Sequence, residues 1–221
     1  MCFSAKSSII SFLFGIIGSI LCISLGSTSD KIIGYYLGFV ALMQGIEYLL
    51  WTHQKGDDYN RVVSILGMIL NHLQPFVLGL IILFCNKHLI HTKLILFIMG
   101  FYLLIIIPYS LQFLFNKKSQ CTIKNTENHL SWKWNSMNYN FFIYIFFILT
   151  MCSLFILGSP TLKYGIYTSL FAILSYITSA VFYSNHDTGA LWCYYVVFFP
   201  FLYYLYRIFK KNKFYFTYIN E

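Results

Sequence analysis

Two neighbouring apolar segments of this sequence carry polar and ionisable residues, which are costly inside a hydrocarbon environment and usually mark a site. Gln44, Glu47 and Trp51 recur at i, i+3 and i+7 of the first segment, a spacing that places them on one helix face. The second segment carries Asn71, His72 and Gln74. A carboxylate and an imidazole can exchange protons, and amides can bind a polar solute. This pattern indicates either a binding site or a site of proton chemistry.

The two segments are separated only by residues 53–61, a short polar connection. Helices joined this tightly form an antiparallel hairpin, so the polar faces of both helices are candidates to meet. Glu47 is the strongest single candidate, because a carboxylate within a span is the most costly of these groups to bury.

The overall composition points to a membrane. The chain is 58% hydrophobic and only 10% charged, whereas about a quarter of the residues in a typical soluble domain are charged. The 15 basic residues are scattered through connections and the C-terminal tail, without a basic face that also carries aromatic residues. We therefore expect the lipid bilayer, and not nucleic acid, to be the partner.

The hydropathy pattern predicts an all-α fold, a bundle of seven transmembrane helices, because a span needs about 20 mainly apolar residues. Residues 1–221 are expected to form one such domain, with a longer polar loop at 116–138. Trp132 and Trp134 in this loop would suit the membrane interface, and Pro75, Pro108 and Pro200 should kink their spans. The predicted spans are 8–26, 32–52, 62–84, 94–115, 139–158, 164–183 and 189–208.

Seven spans place the two termini on opposite faces, here called the N-terminal face and the C-terminal face. Lys and Arg divide almost equally between them, so the positive-inside rule does not decide the orientation. The basic cluster that directly follows the last span favours a cytosolic C-terminus.

This topology places the polar residues on the same side of the membrane. The N-terminal face carries the segment before span 1, the end of span 2, the start of span 3 and the segment before span 7. We expect a polar pocket open to that face. Its predicted lining is Cys2, Ser4, Gln44, Glu47, Trp51, Asn71, His72, Gln74, His186, Asp187, Trp192 and Cys193. The sequence assigns no catalytic residue, no metal site and no cofactor, and the ligand stays unknown.

The opening Met1-Cys2-Phe3-Ser4-Ala5 resembles an uncharacterised family of small multi-pass membrane proteins found in bacteria, fungi and large DNA viruses. Members carry Gln and Glu in the second span with a downstream Trp, a polar residue before Pro in the third, and a Trp-Cys pair near the end. The matching positions are Gln44, Glu47, Trp51, Gln74-Pro75 and Trp192-Cys193. The resemblance implies a shared fold with a polar cluster but no known activity.

Better-known seven-span families fit less well. A retinal protein needs a lysine in its last span, and residues 189–206 contain none. The ceramidase and adiponectin-receptor superfamily holds zinc through three histidines, two of them on the last helix, where this chain has none.

Three hypotheses remain. The protein could bind or transport a small solute, an ion or a proton. It could be a membrane-embedded hydrolase or lipid-modifying enzyme, with Glu47 or Asp187 as base, His72 or His186 as electrophile or metal ligand, and Ser4 or Cys193 as nucleophile. Alternatively, it could be a structural or interaction protein, in which these residues only fix the helix packing.

Overall fold

The described part of the chain is built from α-helices. A computed structural model describes residues 4–116, 120–125, 129–182 and 188–219. It is 83% helical without strands, which confirms the predicted all-α class. Seven helical segments are long and apolar enough to cross a membrane. The helices are α1 Ala5–Ser24, α2 Thr28–Thr52, α3 Asp58–Cys85, α4 Thr92–Phe115, α5 Asn140–Gly158, α6 Leu162–Phe182, α7 Thr188–Val196 and α8 Phe199–Ile219, with a 3₁₀ turn at Lys133–Ser136.

The last predicted span is interrupted. It consists of α7 and the first part of α8, separated by residues 197–198. Pro200 lies in the first turn of α8, where its missing N–H removes no intrahelical bond. The Cys22 thiol of α1 donates to the Pro200 carbonyl at 3.0 Å. By contrast, Pro75 and Pro108 lie inside helices that continue through them.

Local capping fixes where the first helices start. Ser4 and Ser7 form a reciprocal capping box at α1, and Ser27 and Asp30 form another at α2. Asp57 caps α3 by accepting from the Asn60 N–H at 3.1 Å. These side chains satisfy backbone donors that have no partner within the helix.

The α1 helix packs closely on α2 and α8 through small residues. A Cβ at Gly18 would lie 2.8 Å from the backbone nitrogen of Phe201, and one at Gly34 would lie 2.8 Å from the Ser19 carbonyl oxygen. Such backbone approaches are typical of membrane helix interfaces. The most buried spans are α2 and the α7–α8 span, so they form the centre of the bundle.

The connection between α4 and α5 folds back onto the N-terminal face. Thr122 binds α3 through its backbone, donating to Asn60 Oδ1 and Ser64 Oγ at 2.9 Å each. Trp132 and Trp134 are completely buried, so the expectation of an interfacial position for these residues was wrong. The connection inserts its aromatic side chains into the end of the bundle.

Candidate functional site

Three predicted residues from three different helices meet at the junction of α2, α3 and α7. Glu47, Gln74 and Cys193 each have no exposed surface. The Cys193 thiol lies beside the Gln74 side chain and within electrostatic range of Glu47. Glu47 lies five residues before the end of α2 and Cys193 five residues after the start of α7, both counted from the N-terminal face, whereas Gln74 lies sixteen residues into α3. We call Glu47, Gln74, Cys193 and the neighbouring Gln44 the junction cluster.

The amide groups of the junction cluster have few hydrogen-bond partners among the described residues. Both polar atoms of Gln44 and Nε1 of Trp51 are buried without a partner there, and the Gln74 amide has no nitrogen or oxygen partner, only the weak Cys193 thiol. Gln44 and Trp51 lie one turn before and one turn after Glu47 on α2. An unsatisfied buried polar group costs about 1–3 kcal/mol. These groups can therefore form strong bonds with any polar molecule that reaches them.

His72 lies in the middle of α3 with one ring nitrogen engaged. Its Nδ1 is 2.7 Å from Ser110 Oγ, and the Ser110 hydroxyl donates to the Ile106 carbonyl at 2.8 Å. Because that hydroxyl proton is used, we infer that His72 Nδ1 carries the hydrogen and donates. Nε2 is then an acceptor, and it is buried without a partner among the described residues.

Asn71 and Trp192 make bonds between helices. The Tyr144 hydroxyl of α5 contacts Oδ1 of Asn71 at 3.3 Å and also Oδ1 of Asn135. Trp192 donates from Nε1 to Ser175 Oγ of α6 at 2.8 Å. These contacts give both residues a clear packing role, as expected for polar residues between membrane helices.

Sequence reasoning missed the tryptophan pair that covers this region. The rings of Trp132 and Trp134 stack with centroids 4.8 Å apart. Trp134 packs so closely on α3 that a Cβ at Gly67 would lie 3.1 Å from its ring, and Trp132 and Asn135 approach Gly189 of α7 similarly. Both indole N–H groups are buried and have no partner in the part of the chain that the structure describes. The sequence predicted a longer polar loop with both tryptophans at the membrane interface, and two tryptophans so close together were the available signal for a contact with the bundle.

The remaining predicted residues are placed as follows. Ser4 caps α1, and its hydroxyl accepts from the Ser7 N–H at 3.1 Å. Cys2, His186 and Asp187 lie outside the described residues. Within the described ranges, no group of three or more His, Cys, Asp or Glu side chains is arranged to hold a metal ion.

The fold and the apolar helices define a multi-pass integral membrane protein. No protein-family model, curated protein or solved structure matches the chain.

Proposed function

We propose that this membrane protein binds a small polar solute at the junction cluster and admits it from the N-terminal face. The observation that carries the proposal is the pair of buried glutamines, Gln44 and Gln74, whose four side-chain polar atoms have no nitrogen or oxygen partner among the described residues. Buried polar groups in folded proteins are normally satisfied, and exceptions call for an explanation. A bound solute supplies one.

The chemistry of these groups describes the solute. Each primary amide offers two donors and an acceptor oxygen. A matching molecule carries both donors and acceptors, as a small amide, amine or polyol does. Glu47 adds a carboxyl group that favours a cationic solute or exchanges a proton with it.

The apolar residues beyond the cluster favour binding over passage. Toward the C-terminal face, α2 continues with buried Val40 and Tyr36, and α3 continues with buried Leu78 and Ile82. A transport path would need polar groups along that half of the membrane as well. This apolar half supports binding of the solute over its passage across the membrane.

Cys193 provides a test, because its thiol lies within the cluster. We would compare two variants that each retain one cysteine, Cys193 or Cys152, with the others replaced by alanine. Both thiols are buried, but Cys152 lies between α5 and α6, 3.9 Å from the Ser169 carbonyl. The probe is 2-aminoethyl methanethiosulfonate, a small polar cation, applied to the folded protein in detergent.

We expect Cys193 to react at least about tenfold faster than Cys152, which corresponds to about 1.4 kcal/mol less free energy to expose the thiol. Equal, slow labelling of both thiols would contradict the proposal and would favour a purely structural cluster. Circular dichroism on both variants establishes that the comparison is between folded proteins.

The hydrolytic alternative, with Glu47 or Asp187 as base and His72 or His186 as electrophile or metal ligand, stays a prediction. The membership suggested by the Met-Cys-Phe-Ser opening likewise stays a proposal.

A further inference from the structure

A separate groove opens on the opposite side of the molecule, between α6 and α8. It encloses about 560 Å³. The α8 helix packs on α1 and α2, whereas α6 packs on α5 and α7, so the two helices diverge toward the C-terminal face. Stacking of Phe171 on Phe199, with centroids 4.1 Å apart, closes the deep end. The walls are Tyr164, Tyr167, Thr168, Leu202, Tyr203 and Tyr206.

The length of the groove matches one leaflet. From Phe171 to Lys163 is about 12 Å along α6, and from Phe199 to Lys210 is about 16 Å along α8, at 1.5 Å per residue. Half of a hydrocarbon core about 30 Å thick is about 15 Å. The groove therefore extends from near the midplane to the headgroup level.

Two lysines lie at the mouth of the groove. Lys163 and Lys210 are exposed, and the Lys163 ammonium lies 5.7 Å from the centre of the Tyr167 ring. Neither lysine makes an ion pair within the described residues. The third cation nearby, Arg207, is already neutralised by Asp30 at 3.1 Å. The mouth thus keeps two positive charges above an aromatic wall.

We propose that this groove is a binding site for an anionic phospholipid of the leaflet at the C-terminal face. One acyl chain lies between α6 and α8 along the tyrosine and leucine wall, and the phosphate lies between Lys163 and Lys210. The exposed rings of Tyr167 and Tyr206 lie at the depth where aromatic residues favour the interface. Charge selects the lipid class, because the apolar wall accepts an acyl chain from any phospholipid. This inference does not depend on the junction cluster.

Native mass spectrometry of the full chain in detergent tests the proposal. The probes are palmitoyl-oleoyl phosphatidylglycerol and palmitoyl-oleoyl phosphatidylcholine, which share their acyl chains and differ in net charge. We expect the first bound phosphatidylglycerol to bind roughly 30-fold more tightly, the preference expected of two lysines beside an anionic lipid. Added salt should reduce the difference.

The critical variant is the double substitution Lys163→Gln/Lys210→Gln. It should lose most of the preference for phosphatidylglycerol. The matched control is Lys87→Gln/Lys93→Gln, which removes two exposed lysines on the same face, one in the connection between α3 and α4 and one in the first turn of α4, and should keep the preference. The proposal is overturned if wild type shows no preference, or if both double variants lose it equally.

A photoactivatable phosphatidylglycerol with a diazirine in its acyl chain locates the bound lipid independently. Crosslinks should fall on residues 164–171 and 199–206. Crosslinks spread evenly around the bundle would overturn the proposal. A second result would also overturn the proposal: the protein is a dimer in solution, and Leu202→Lys dissociates the dimer without changing lipid binding. The groove would then be an interface between two copies of the chain.

Discussion

Arg207 and Asp30 form a buried ion pair that joins the last span to the start of α2, and its removal should measurably destabilise the bundle. The Asp30 carboxylate has no exposed surface, whereas the Arg207 side chain keeps 27% of its exposure. Asp30 also accepts from the Tyr203 hydroxyl at 2.8 Å and from the Ser27 N–H at 3.3 Å. Arg207 in turn donates to the Tyr164 hydroxyl at 3.0 Å.

The expected loss of unfolding free energy follows from the unpaired Asp30 carboxylate that Arg207→Met leaves in the bundle. Removing one partner of a buried pair typically costs about 3–5 kcal/mol. Here the loss should be smaller, about 2–3 kcal/mol, because Tyr203 and Ser27 still donate to the carboxylate and Arg207 is partly solvated. Asp30→Asn/Arg207→Met should cost less than the sum of the single changes by about 1.5 kcal/mol, because it leaves no unpaired charge.

The assay is equilibrium unfolding in mixed micelles of dodecyl maltoside and sodium dodecyl sulfate, followed by circular dichroism. The control is Arg61→Met, which breaks the exposed pair with Asp58 at 3.0 Å and should cost less than about 0.5 kcal/mol. Equal effects of Arg207→Met and Arg61→Met, or additive effects of the two changes at Asp30 and Arg207, would refute the reasoning.

Two further predictions concern helix packing and the α2–α3 connection. Gly18→Leu should destabilise the protein by about 1–3 kcal/mol, because its side chain would collide with the backbone of Phe201,; Gly100→Leu should have little effect, since a Cβ there meets no atom within 4 Å. Equal unfolding midpoints for the two variants in the same micelle assay would contradict this. The hydrogen bond from His53, at 2.7 Å, lowers the pKa of Asp57 below its ordinary value of 3.8. A lowered pKa stabilises the folded state above pH 3.8, and the stabilisation is lost as the pH falls through the lower folded value. Carboxyl-carbon NMR should show the Asp57 pKa rise in His53→Ala, and an unchanged pKa would contradict the assignment.

The candidate site was predictable in outline. Gln44 and Glu47 stand out because the hydrocarbon environment makes them costly, and hairpin topology places their helix beside α3. Only the structure distinguishes the residues of the junction cluster from those that bind neighbouring helices. Gln74 lies beside Cys193, whereas Asn71, only three residues earlier, binds Tyr144 of α5. Residues three apart on a helix point in directions that differ by about 60°, so their partners depend on the rotation of each helix within the bundle.

The sequence by itself determined the number of spans, because bilayer thickness sets the length of an apolar segment. The first three predicted starts, at 8, 32 and 62, fall three or four residues after the observed helix starts, because the capped first turns extend beyond the apolar segments. Only the tertiary structure decided that Trp132 and Trp134 are buried and that Arg207 reaches Asp30, 177 positions earlier in the chain. From sequence, Arg207 counted only as one of the basic residues at the end of the last span. The packing of α8 on α1 and α2 brings Arg207 to Asp30. This packing depends on contacts between segments that are distant in the sequence, and a hydropathy pattern contains no information about such contacts.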